Sequence, residues 1–99
     1  MIVAFSLSPT STEPDGSVTE AVAEAVRVVR ESGLPNETNA MFTNIEGEWD
    51  EVMAVVKRAV DVLAERSPRV GLILKADIRP GHTDQLTAKV ERIENAVRG

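Results

Sequence analysis

Ninety-nine residues suit one compact domain, expected to span residues 1–99. Apolar content of 42% beside 27% charge is that of a folded chain and excludes a disordered tail. The absence of cysteine excludes a disulfide framework and thiolate chemistry, and a single histidine, His82, leaves a zinc site without its usual ligands.

The formal charge is −5, with 11 basic residues scattered among 16 acidic ones. A nucleic-acid binder carries a basic stripe to neutralise phosphates, and none is present, so nucleic acid is not an expected partner. The acidic balance suits a cationic small ligand better. No apolar run approaches the length of a membrane span, and the start of the chain lacks the basic flank and apolar core of a secretory leader. No membrane association and a cytoplasmic location are expected.

"IVAFSLS", Ile2 to Ser8, alternates, with Val3, Phe5 and Leu7 on one face and Ala4, Ser6 and Ser8 on the other. This predicts a strand. "PTSTEPDG" reads as a loop, and Ser17 with Glu20 has the spacing of a capping box. A helix is predicted from about Val18 to Ser32, its inner stripe formed by Val18, Val22, Ala25 and Val29, with Gly33 ending it.

"LPNETNAMFTNIEG" fits either one long strand or a hairpin of two short ones. Asn39 and Ala40 lie near its middle, where a tight turn or bulge can sit, and two strands are expected, about Asn36 to Asn39 and Met41 to Glu46. Gly47 breaks the second. The next helix is predicted from Glu48 to Arg66, with Trp49, Val52, Met53, Val56, Ala59, Val60 and Leu63 at helical spacing. Its first turn holds Glu48, Asp50 and Glu51, where the helix dipole favours anions, and Pro68 stops it. Trp49 is expected in the core.

"RVGLILKADIRP" predicts the last strand, with Val70, Leu72, Leu74, Ala76 and Ile78 on one face and Gly71, Ile73, Lys75, Asp77 and Arg79 on the other. After "PGH", Thr83 can cap a third helix striped by Leu86, Val90, Ile93 and Val97. The order βαββαβ is that of a ferredoxin-like α+β sandwich, two helices on one sheet face, with an added C-terminal helix. The other sheet face should carry Ala4, Ser6, Ser8, Ile73, Lys75 and Asp77, a mixed surface suited to binding or assembly.

No phosphate loop, nucleophile elbow or metal-binding helix motif is present. The hydroxyl residues near the first strand lie some 70 residues from His82, so a hydrolytic triad has no local support. His82 reads as a loop residue. Glu46 ends a strand at the Gly47 break; it either favours the next helix's N-terminus or accepts hydrogen bonds from an amine-bearing ring. Lys75 and Asp77 either form a solvated or intersubunit ion pair or touch a ligand on the open face.

Four stretches, "MIVAFSLSP", "VAEAVRVVRESGL", "MFTNIEGEWDEV" and "LILKADIRPG", resemble the small thiamine-binding protein family across nearly the whole chain. The middle stretch is the most specific, for the threonine, the Ile-Glu-Gly turn and the tryptophan-acid helix start recur there among family members. The resemblance implies a ferredoxin-like fold, self-association as a homotetramer built as a dimer of dimers, and binding of thiamine or its hydroxymethylpyrimidine portion without turnover and without a cofactor. Carried onto this chain, it implies Ser6 and Ser8, Thr43 and Glu46, and Lys75 and Asp77 as ligand-binding candidates. Family members often have a "PLG" turn where this chain has "PTS" at Pro9 to Ser11, a difference that bears on ligand preference. Two other readings stand beside this one: an assembly or regulatory module with no small ligand, and an enzyme acting on a thiamine precursor.

Overall fold

In the computed structural model, which describes residues 1–11, 14, 16 and 18–99, the alternation of the first strand is the organising feature. Strand β1 (Ile2–Pro9) buries Val3 and Phe5 completely or nearly so, while Ala4 and Ser6 stay half-buried and Ser8 exposed. Helix α1 (Thr19–Glu31) lays Ala25 and Val29 on that buried face. Val18 stands at its N-cap without a side-chain hydrogen bond, and the expected capping box involves Ser17, outside the described residues. Gly33 ends the helix at φ +81°, a conformation that costs other residues a clash at Cβ.

The ambiguous middle segment is a hairpin of β2 (Asn36–Thr38) and β3 (Thr43–Glu46). β3 starts two residues later than expected because Asn39 organises a longer turn. Its side-chain Oδ1 accepts the backbone N–H groups of Met41 and Phe42, both at 2.9 Å, and its own N–H donates to the Phe42 carbonyl. These bonds satisfy Met41 and Phe42 locally, so they leave the ladder.

Gly47 then turns the chain into α2 (Trp49–Ala64), and a Cβ there would lie 3.2 Å from Val52 Cγ2, inside ordinary contact. The Glu51 side chain accepts the N–H of Glu48 at the helix start. Val52, Val55, Val56, Ala59 and Leu63 are buried. Trp49 is not: it is 55% exposed, against the expected core position. Helical side chains lean toward the N-terminus, so a first-turn residue overhangs the end of the helix even when its spacing matches the stripe.

Strand β4 (Val70–Asp77) pairs with β1 along all eight residues, from Ile2 opposite Asp77 to Pro9 opposite Val70. The sheet is antiparallel with order β2-β3-β1-β4, and the fold is the ferredoxin-like α+β sandwich. β4 is an edge strand, and of its expected inward residues only Val70 and Leu74 are even half-buried. Ile78 lies beyond the strand and is exposed.

The third helix, α3 (Gln85–Arg98), changes the expected picture of a sheet face left wholly open. Its first turn sits over the Ile2 end of that face, and from there its apolar stripe runs into solvent. Leu86 is half-buried, whereas Val90, Ile93 and Val97 are 54%, 58% and 78% exposed. The molecule is accordingly elongated, 50 × 30 × 20 Å with a radius of gyration of 15.0 Å; a compact chain of this length has about 13 Å. Among the described residues, no helix is long and apolar enough to cross a membrane.

Candidate functional site

The pairing of β1 is unequal on its two sides. β4 follows it to Pro9, but β3 pairs only from Ile2 to Phe5, because β3 begins at Thr43. Beyond Phe5, the backbone of β1 has no strand partner on the β3 side among the described residues. The Asn39 turn and α1 stand around this gap and form a cleft of about 200 Å³.

Its walls are largely apolar: Phe5 from β1, Val22, Val26 and Val29 from α1, and Met41 and Phe42 from the turn. Polar groups come from Thr38, Asn39 and Thr43. Thr43 is buried to 7% exposure, opposite Phe5, and its hydroxyl lies 3.4 Å from that of Thr38. Asn39 spends its carbonyl oxygen on the turn, and its side-chain NH2 has no partner among the described residues. Ser6 also borders the cleft. Strand alternation points its side chain away from Phe5 and Thr43, so its contribution there is its backbone. Apolar walls with a few convergent donors and acceptors describe a pocket for a flat, neutral ring.

A second group of expected residues lies on the other sheet face. Register places Ala4 opposite Lys75, Ser6 opposite Ile73 and Ser8 opposite Gly71. A groove of about 330 Å³ there is bordered by Asn44, Lys75, Asp77 and the first turns of α3. Lys75 does not pair with Asp77. Instead Lys89 of α3 bonds Asp77 at 2.7 Å, and this hydrogen bond, with the charge of Lys89, holds the Asp77 carboxyl below the usual aspartate range.

Glu46 has a third role, one the sequence reading assigned to the wrong helix. It lies opposite Ile2, 6% exposed, and its two carboxylate oxygens accept the backbone N–H groups of Gln85 and Leu86 at 2.8 and 3.0 Å. It therefore caps α3 and not α2. Asp84, the residue before α3, sits at φ 56° and makes no cap of its own, and Thr83 is not at the cap position.

The six expected ligand residues thus do not converge. Ser6 and Thr43 border the cleft, Lys75 and Asp77 border the groove, Glu46 is committed to α3, and exposed Ser8 borders neither. Thr38, Asn39 and Phe42 were missed as site residues, although the turn signal at Asn39 was visible. His82 is an exposed turn residue with Nδ1 3.2 Å from the Pro80 carbonyl oxygen. Among the described residues, no cluster of histidine and carboxylates could hold a metal ion.

Residues 3–94 match the family model described as thiamine-binding protein. A UPF0045 protein of Mycobacterium bovis is 56% identical over 95 residues, which cover 95% of this chain and 91% of that one. A hypothetical protein of Methanocaldococcus jannaschii of known crystal structure superposes with a TM-score of 0.83 at 30% identity, covering 94% of each chain. A Thermotoga maritima protein put forward as a thiamine biosynthesis/salvage protein superposes with a TM-score of 0.74 at 26% identity, covering 92% of this chain and 97% of that one.

Proposed function

This chain belongs to the thiamine-binding protein family, and from that premise we propose that it binds thiamine through its hydroxymethylpyrimidine ring, without turnover, in the cleft between α1 and the Asn39 turn. The observation that carries this is the β1 backbone beyond Phe5, which β3 leaves without a strand partner on that side, facing an apolar slot beside the Thr38 and Thr43 hydroxyls. An aminopyrimidine offers ring nitrogens and an amino group along one edge and apolar faces above and below. Backbone groups and hydroxyls read such an edge, and Phe5, Phe42 and the α1 valines cover such faces. The thiazolium would lie toward the mouth, where the acidic balance of the chain favours a cation.

Self-association is part of this reading. A homotetramer, a dimer of dimers, would cover the exposed Val90, Ile93 and Val97 of α3 and Ile73 of β4. It would also bring the open-face residues Ser8, Lys75 and Asp77 to a subunit boundary.

Calorimetry with thiamine, hydroxymethylpyrimidine and thiamine monophosphate tests the proposal, with Thr43→Val as the variant. Valine keeps the shape and removes the hydroxyl. Affinity for thiamine and for the free pyrimidine should fall about five-fold or more, as loss of a buried hydrogen bond of about 1 kcal/mol or more requires. Binding of none of the three ligands by the native protein would support the pure assembly module, and conversion of a thiamine precursor would support an enzyme.

A further inference from the structure

At the opposite end of β1 from the pyrimidine cleft, we propose a second site, one that takes a phosphate group. A cleft of about 220 Å³ lies between the end of β4, the turn after it and α3, and Arg79, His82, Lys89 and Arg92 all border it. Three cations and an imidazole converge here in a chain whose formal charge is −5.

The two acids in the same cleft, Glu46 and Asp77, offset only part of this charge. Glu46 has both oxygens occupied by the backbone of α3. Asp77 is ion-paired with Lys89, and the charges of Arg79 and Lys75 also act on it. Arg92 donates only to the neutral Gln85 side chain, at 3.1 Å; the Arg79 backbone carbonyl accepts the His82 N–H at 3.2 Å, while its guanidinium makes no hydrogen bond or ion pair among the described residues. Two guanidinium groups that form no ion pair among the described residues thus border one cavity.

A guanidinium presents paired N–H donors whose spacing matches two oxygens of a phosphate, and a doubly charged anion can be shared by several cations. An extended nucleic acid does not fit, because the protein is net acidic and its basic residues form no continuous stripe in the sequence. The pyrimidine cleft involves β1 from Phe5 to Leu7, whereas this one involves its start at Ile2, so the two are separate within a protomer. The phosphate site does not rest on the pyrimidine reading.

His82, the one histidine, lets the site be watched by the NMR signals of its ring. Inorganic phosphate is titrated into the full chain at neutral pH, with ionic strength held constant by sodium chloride. The His82 signals should move and saturate, and Arg79→Ala combined with Arg92→Ala should weaken the response about ten-fold or more, the loss of charge-assisted hydrogen bonds. Lys57→Ala, which removes a cation elsewhere, should leave it intact. A phenyl phosphate arm identifies the source: tighter binding than inorganic phosphate marks a phosphate monoester, and equal binding marks the free anion. A response that chloride alone reproduces, or equal phosphate affinity in the double variant with its thermal midpoint unchanged, overturns the site. Thr43→Val should bind phosphate as the native chain does, so failure of the pyrimidine reading and failure of this one give different patterns.

Discussion

Glu46 on β3 and Leu86 on α3 are joined across 40 positions of sequence by a 3.0 Å hydrogen bond from the Leu86 N–H to the Glu46 carboxylate, and Gln85 adds a second at 2.8 Å. A helix start leaves its first N–H groups unpaired, and here a buried carboxylate from the sheet takes two of them. In Glu46→Gln, one acceptor oxygen becomes a donor that faces an N–H. The variant should lose about 1–3 kcal/mol of stability. Chemical denaturation measures the loss, and faster hydrogen exchange at Gln85 and Leu86 assigns it to α3. Native exchange rates at those two amides would refute the capping role.

Asp77 and Lys89 make the neighbouring tie, from β4 to the second turn of α3. Because the Asp77 carboxyl is held below its ordinary value by the Lys89 hydrogen bond and charge, its contribution is present above the unfolded aspartate value of about 3.9 and is lost as pH falls through the lower folded value. The carboxyl carbon signal of Asp77 should titrate below that of an unpaired aspartate, and Lys89→Met should raise it toward the ordinary range, with the charges of Arg79 and Lys75 still acting on it. High salt should weaken the pair, since both partners are about half exposed.

Trp49 and Leu63 share a helix but not an environment, one 55% exposed and the other fully buried. Leu63→Ala should cost about 2–5 kcal/mol, the range for a deleted core side chain. Trp49→Ala should cost about 1 kcal/mol or less. Denaturation midpoints compare the two, and a cost at Trp49 equal to that at Leu63 would place the indole in an interface or core.

Ile93 and Val97 test assembly. Both are exposed on α3, and neither supports the core. Ile93→Asp should leave the secondary structure intact and lower the mass measured by light scattering from that of a tetramer to that of a smaller species. A native chain that runs as a monomer at micromolar concentration would remove the tetramer.

The elements were legible in the sequence because each is a local pattern. Alternation in "IVAFSLS" and "RVGLILKAD", helical spacing from Val52 to Leu63, and backbone breaks at Gly33 and Gly47 are set by neighbours a few residues away. The register that places Lys75 and Asp77 on the face of Ala4 and Ser6 follows from the same alternation. Which groups meet was a different matter. Glu46 was recognisable as a carboxylate in need of a role, but its partners lie 39 and 40 residues onward, and no spacing rule spans that distance. Asp77 had Lys75 two positions away and found Lys89 instead. The cleft beyond Phe5 exists because β3 stops at Thr43 while β1 continues to Pro9, a difference in strand length across a pair. Local sequence sets the conformation of each segment through sterics and nearby hydrogen bonds. Partners across the fold are chosen only when the segments dock, and the docking of α3 on the sheet decided the role of Glu46.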